Sequence, residues 1–411
     1  MDDVKVLKNL AFRYLEIANS SRNTENIKLH KAVNDLKQIR PVVLINELPW
    51  HEMNIDDELT LKCTDPYLQT VEWYFRTNIY KHKHMPADMI VSPFVPVHKI
   101  IHSTGNGISV DEQVMATDKE NHIISHKYND VLSTEDDLAK IHAPIVTYDE
   151  EETLERFNLI GDILDVIIPV KLIGVNVYGF APWDDISRYR GVSNLLIDLV
   201  ERPEFMHKII RKFTNISLSY LNQLEALNLL DNNTAFDLHC TPIHTDDLPK
   251  KEINDKNTTR KNIWGRGMAQ IFGSVSKKMH DEFDISYMIE TIGQCGLAYY
   301  GCCEPLDKKI DIVERIPNLR KISITPWADV NIAAEAIGKK YVLSSKPNPA
   351  SVAVPIIDKD NLHREIEGIL NACRKNQCSC DIVLKDISTC HGRPENIFEW
   401  EQVVMEMVSD Y

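Results

Sequence analysis

The run Tyr299-Tyr300-Gly301-Cys302-Cys303-Glu304-Pro305 follows an apolar segment and sets two adjacent thiols beside a carboxylate. Thiolate, imidazole and carboxylate are the donors from which zinc centres are built, and a catalytic centre keeps one coordination position open. Upstream, Asp237-Leu238-His239-Cys240 closes another apolar segment. If both segments are strands of one parallel barrel, their C-terminal ends share a mouth. The candidate metal ligands are then His239, Cys302, Cys303 and Glu304, with Asp237 beside them. Each also has a plainer reading, because a cysteine is most often a packed hydrophobe and a lone histidine most often a satisfied polar group.

Other strand ends carry further chemistry. Pro41 to Asn46 reads as a buried strand closing on Glu47-Leu48-Pro49-Trp50-His51, where a carboxylate and an imidazole can share a proton near neutral pH; the alternative is a helix-start carboxylate and a surface histidine. Gln270 is expected to point into the mouth from a strand over 268 to 272. Trp327 and Lys346 each follow an apolar segment, where barrel enzymes place site residues. Tyr178 and Trp183 read either as an aromatic wall for a flat substrate or as core. Glu47, His51, Asp237 and Gln270 are thus the candidate catalytic residues, and Trp50, Tyr178, Trp183, Trp327 and Lys346 the candidate substrate contacts. Cys378 and Cys380 lack a partner pair at zinc-finger spacing and read as incidental, and Cys390 reads as buried.

The elements that must position these groups follow from periodicity. Leu7, Leu10, Tyr14, Ile17 and Ala18 recur at helical spacing, so residues 1 to 40 form a helical extension ahead of a single unit over 41 to 411. Asp65-Pro66 opens a helix, and Met206 to Leu224 carry a buried stripe on another. Residues 98 to 132 around Gly105-Asn106-Gly107 suggest an inserted hairpin. Apolar segments recur at 170 to 178, 233 to 238, 268 to 272, 297 to 301, 320 to 324, 340 to 344 and 381 to 384, separated by helical patterns or long loops. That alternation predicts an α/β fold with a parallel sheet, closed into a (β/α)8 TIM barrel. The polar stretch 248 to 262 reads as an insertion, equally well a mobile lid.

Composition sets the outer limits. With 43% hydrophobic residues over 411 positions, the chain can bury a sizeable core. A formal net charge of -15 argues against a nucleic-acid surface. No run of about eighteen apolar residues predicts a membrane span, the N-terminus does not read as a signal peptide, and the 9 scattered cysteines are not a disulfide framework, so a cytoplasmic protein is expected.

Pro182-Trp183-Asp184-Asp185 through Arg190-Gly191, Asn194 to Leu199, Pro203-Glu204-Phe205-Met206, and Gln270-Ile271-Phe272-Gly273 with Ser276, Met279, Glu282-Phe283 and Tyr287 resemble the uroporphyrinogen decarboxylase superfamily. The resemblance runs in order over roughly residues 40 to 405. It implies a (β/α)8 barrel with one of two activities: cofactor-free tetrapyrrole decarboxylation, or zinc-dependent methyl transfer involving a corrinoid protein or a coenzyme thiol. The decarboxylase branch neutralises an acidic substrate with N-terminal arginines, whereas this chain has Glu47, Trp50 and His51 in that region. The resemblance therefore implies a methyltransferase moving a methyl group between a small methylated or methoxylated substrate and a corrinoid (cobalamin) carried by a partner protein, or a thiol. In that branch a His-x-Cys and a later cysteine hold zinc; here Tyr300 stands where the histidine is expected, with Cys302, Cys303, Glu304 and His239, or Cys390, as substitutes. The alternative is a cofactor-free decarboxylase using Glu47 or Asp237 with His391 as acid and base. The reading leaves room for a homodimer.

Overall fold

The computed structural model describes residues 2–115, 124–232, 238, 240–250 and 257–411. Two helices open the chain. In α1 (Asp3–Ala18) the Asp2 carboxylate accepts from the Val4 amide, and Leu7, Leu10, Tyr14 and Ala18 are buried as their spacing predicts. The polar stretch after it is itself a helix, α2 (Ser21–Asn34), capped by Ser20. Its buried Leu29 and Val33 pack on Val42, Leu44, Val342 and Val383, so it covers strands of the central sheet. In α3 (Pro66–His84) the Asp65 carboxylate accepts from two amides and Pro66 fills the first turn, as the sequence signals.

Seven parallel strands form the central sheet: β1 (Val42–Ile45), β2 (Val177–Phe180), β3 (Trp264–Gly267), β4 (Leu297–Tyr300), β5 (Leu319–Ile324), β6 (Val342–Ser345) and β7 (Ser379–Leu384). Their order is β1-β7-β6-β5-β4-β3-β2, with the first strand against the last: Val42 lies opposite Asp381 and Ile45 opposite Leu384. This is an α/β protein with a parallel sheet and many helices. Among the described residues, no strand joins β2 to β1, so the expected ring is seen as an arc.

Three segments differ from expectation. The run over 170 to 178 splits into Val170–Ile173, paired with Val95–His98 outside the central sheet, and Val177–Phe180 within it. The strand placed at 268 to 272 is instead Trp264–Gly267, followed by a tight helical turn, Gln270–Ser274. A Trp-Gly-Arg-Gly strand has no apolar run to announce it. The inserted hairpin pairs Glu112–Met115 with Ser125–Tyr128, while Ile100–Ser103 pairs with Val146–Asp149; Gly105-Asn106-Gly107 lies in the connection between.

Alternate residues along each strand face opposite sides of the sheet, and both sides are buried; α2 covers Val42, Leu44, Val342 and Val383 on one of them. On the opposite side stand Ala298, Tyr300, Ile322, Ile324, Leu343, Ile382 and Leu384. On the side of Val42 and Val342 also stand Lys321, Ser323, Ser344 and Asp381, all fully buried. The segment after Cys240 covers this polar face: Lys321 Nζ donates to Thr241 Oγ1 at 2.9 Å and to the Pro242 carbonyl at 2.8 Å, and the Trp264 indole donates to the Ile243 carbonyl at 3.1 Å. A two-sided buried strand is what a parallel sheet demands, and it is why these segments read as apolar runs despite their polar residues. Among the described residues no helix is long and apolar enough to cross a membrane.

Candidate functional site at the strand ends

The residues that leave the sheet at its C-terminal edge gather into one polar arc. After β4 the chain turns at Gly301 (φ 98), where a side chain would meet Leu306 at 2.7 Å. Only glycine fits that turn, and it sets Cys302 at the edge. Cys302 is 5% exposed and Cys303 is exposed, with their sulfurs 3.7 Å apart. The Lys385 ammonium stands 3.6 Å from Cys302 Sγ, and Arg266 Nη2 stands 3.9 Å away. Lys385 also pairs with Asp386 and lies 3.9 Å from Glu47, and Cys303 Sγ contacts Asp386 at 3.8 Å.

This surrounding decides the charge of Cys302. The Cys303 thiol donates to its sulfur, and Lys385 and Arg266 add positive potential, so the Cys302 thiol is held down at about 6 although burial opposes it. Cys303, the donor, is pushed up correspondingly. Burial alone would lower Lys385, but the charges of Cys302 and Asp386 raise it, so it remains an ammonium. These surroundings favour the ionised form of Cys302 over that of Cys303. Glu47 and Asp386 both sit on left-handed backbone (φ 51 and 56), which for residues other than glycine is strain of the kind that collects at functional sites.

Glu304 plays a different part from the one its sequence position suggests. Its carboxylate accepts from the Ala269 amide and from the Cys302 amide, each at 3.0 Å, and it is 1% exposed. Burial raises its pKa to about 7. It fastens the loop after β3 to the loop after β4 instead of facing the thiols. Among the described residues, no group of three or more His, Cys, Asp or Glu side chains is placed to hold a metal ion. The two thiols do fit two corners of a zinc site, because ligands on bonds of about 2.3 Å at the tetrahedral angle stand about 3.8 Å apart.

The remaining expected residues divide between the arc and the core. Asp237 and His239 lie outside the described residues. Gln270 leaves the tight turn after β3, donates to Asp184 Oδ2 at 2.9 Å and approaches Met268 Sδ at 3.6 Å. Burial raises the Asp184 carboxyl above its usual range. His51 pairs with Glu52 at 3.4 Å, and Trp50 packs edge-on against Trp73 and Tyr80. Trp327 is 69% exposed. Lys346 is buried, donates to Ser344 Oγ at 2.5 Å, and is lowered by burial to about 8. Tyr178 and Trp183 are core: the Tyr178 hydroxyl meets Ser217 on the helix Pro203–Ala226 at 2.5 Å, and Trp183 stacks on Phe272 with no exposure. Cys390 is buried, and it joins Gly392 in donating to Glu52, whose pKa falls to about 2 despite burial because Thr389 donates as well. His391 stands exposed on that turn.

Sequence reasoning missed Arg266, Lys385, Asp386 and Asp184. Lys385-Asp386 directly follow the apolar run over 381 to 384, so the strand-end rule already applied to Lys346 was enough to find them. Arg266 had no such signal. Two clefts open beyond the strand ends, one of about 440 Å³ lined by Pro326, Asn348 and Glu365 and one of about 480 Å³ lined by Phe180, Pro182 and Tyr189. No family model matches the chain, and no curated protein matches it either.

Proposed function

We propose that this chain is a methyltransferase of the uroporphyrinogen decarboxylase type, with its strands closed into a (β/α)8 barrel and its chemistry at Cys302. The observation that carries this reading is the Cys302 sulfur at the sheet edge, 3.7 Å from a second sulfur and 3.6 Å from the Lys385 ammonium. Methyl transfer needs a soft, negatively charged acceptor at neutral pH, and a thiolate in a cationic surrounding is one. Arg266 and Lys385 hold that charge in place, and Cys303 orients the sulfur lone pairs by donating to one of them.

The leaving group of a methoxylated substrate needs a proton. Asp184, whose carboxyl burial raises above its usual range and which Gln270 holds at 2.9 Å, is the proposed donor. Zinc, held by Cys302 and Cys303 with a donor from the segment that contains His239, would act there as a Lewis acid or as an activator of the thiol. A corrinoid carried by a partner protein, or a coenzyme thiol, would serve as the other methyl carrier. All 9 cysteines are free, as a cytoplasmic, reducing location would have them.

Elemental analysis of the protein purified without chelator tests the reading. Stoichiometric zinc, lost from the Cys302→Ser/Cys303→Ser double variant while that variant stays folded, supports it. Zinc retained by the folded double variant sinks the assignment of the ligands. A folded, metal-free wild type redirects the search to the cofactor-free lyase and to Glu47, Asp237 and His391.

A further inference from the structure

We propose that Cys302 and Cys303 form a peroxide-sensitive dithiol that closes reversibly into a disulfide between neighbouring residues. This rests on the geometry of the pair and not on methyl transfer. The two sulfurs already face one another at 3.7 Å, so closing a bond of about 2.0 Å needs side-chain rotation and a local adjustment of one peptide. Cys303 is exposed and open to a small oxidant, while the seven cysteines outside this pair are buried. Lys385 and Arg266, 3.6 and 3.9 Å from Cys302 Sγ, stabilise the negative charge on the attacking sulfur.

The steps balance with a peroxide as oxidant. The Cys302 thiolate attacks one peroxide oxygen, the O–O bond breaks, and hydroxide leaves, so sulfur loses two electrons and becomes a sulfenic acid. The Cys303 sulfur then attacks that sulfur, the S–O bond breaks, and the Cys303 proton leaves with the hydroxide as water. One thiolate, one thiol and one peroxide thus give one disulfide, one water and one hydroxide. Asp386, 3.8 Å from Cys303 Sγ, is placed to take up the Cys303 proton on the way.

The product has a physical signature. Adjacent Cα atoms stand about 3.8 Å apart, below the usual span of about 4.4 to 6.8 Å for a disulfide, and such strain makes the bond easy to reduce. A monothiol of the glutathione class should therefore reopen it. Oxidation also removes the thiolate, so the site is silenced while the bond persists.

The experiment uses the full chain, dialysed against chelator, reduced, and treated with a small excess of hydrogen peroxide. Peptide mass spectrometry should show the peptide carrying Cys302 and Cys303 lighter by two hydrogens, with full recovery on adding glutathione. In Cys303→Ser the same treatment should leave a dimedone-reactive sulfenic acid on Cys302. Direct over-oxidation of wild-type Cys302 to the sulfinic acid, or oxidation of other cysteines with this pair left reduced, would overturn the proposal. Zinc content is read separately, so a metal-free protein leaves this test intact and bears only on the ligand assignment.

Discussion

Two clusters of opposite charges lie on the same face of the sheet, one inside it and one at its lip, and burial separates their roles. Inside, Lys321 and Asp381 are both fully buried and 2.8 Å apart, with Thr241, Pro242 and Ser344 completing their hydrogen bonds. At the lip, Lys385 holds Asp386, Glu47 and the Cys302 thiolate, and the side chains of Asp386 and Glu47 are 49% and 34% exposed. The residue types are the same, and Asp381 and Asp386 belong to one strand and the loop that leaves it. The interior cluster has no open side from which a ligand could approach. The lip cluster has one, and the sulfurs of Cys302 and Cys303 are its soft nucleophiles.

The sharpest way to break this comparison is to remove the matching carboxylate from each cluster. Asp381→Ala leaves the Lys321 charge uncompensated in the interior and is expected to cost about 3 to 5 kcal/mol in urea unfolding. Asp386→Ala, at a half-exposed position, is expected to cost about 1 kcal/mol or less. Equal losses would show that the lip is as structural as the interior.

Glu304 sits between the two extremes and gives the next largest effect. Its folded pKa of about 7 lies above the ordinary carboxylate value of 4.5, so the folded state binds more protons between these limits. Stability from this group is therefore highest at low pH and falls as pH rises from about 4.5 through 7, by up to about 3 kcal/mol. Denaturant midpoints of wild type and Glu304→Gln across pH 5 to 8, a window set by those values, should converge or diverge by that amount. Parallel curves would mean that Glu304 stays ionised in its pocket.

Replacing Lys385 addresses the lip itself. Lys385→Met removes the nearest cation from Cys302, so the thiol should rise from about 6 toward its usual 9. In chelator-dialysed protein, the alkylation rate of Cys302 at pH 6 should fall several-fold, with recovery at higher pH, a change of about 1 to 2 kcal/mol in thiolate stabilisation. An unchanged pH profile would assign the activation to Cys303 and Arg266.

How much of this was readable beforehand depends on what positions each residue. The capped helices, with Asp65-Pro66 opening α3 and the stripe from Met206 to Leu224, were legible because local hydrogen bonding and spacing determine them. Five of the seven sheet strands were found from apolar runs, but Trp264–Gly267 was displaced by a few residues, since glycines carry no hydropathy signal. Cys302 and Cys303 stood out as candidates because two adjacent thiols beside a carboxylate end an apolar run, with packing as the competing reading. Glu304 was not, because its direction depends on two backbone amides, one of them 35 residues away. Tyr178 and Trp183 stayed open between substrate wall and core for a related reason: which face of a strand or turn points to the helices is decided by tertiary packing. Closure of the sheet is a long-range property, and the described strands show only the meeting of β1 with β7.

The smallest effect separates a charge cluster from a collection of neighbours. Glu47→Gln removes an anion that competes with Cys302 for Lys385, which stands 3.9 Å from Glu47 and 3.6 Å from the sulfur. Freed from that competition, the ammonium acts more fully on the thiolate, so the Cys302 thiol should fall slightly and alkylation at pH 6 should quicken by less than about threefold. Global stability should change by no more than about 1 kcal/mol, because the pair is partly solvated. The sign is what matters, since Lys385→Met slows the same reaction. Opposite signs at one sulfur would show that Glu47, Lys385 and Cys302 share a single charge balance, whereas two changes of the same sign would reduce Glu47 to a support for the loop.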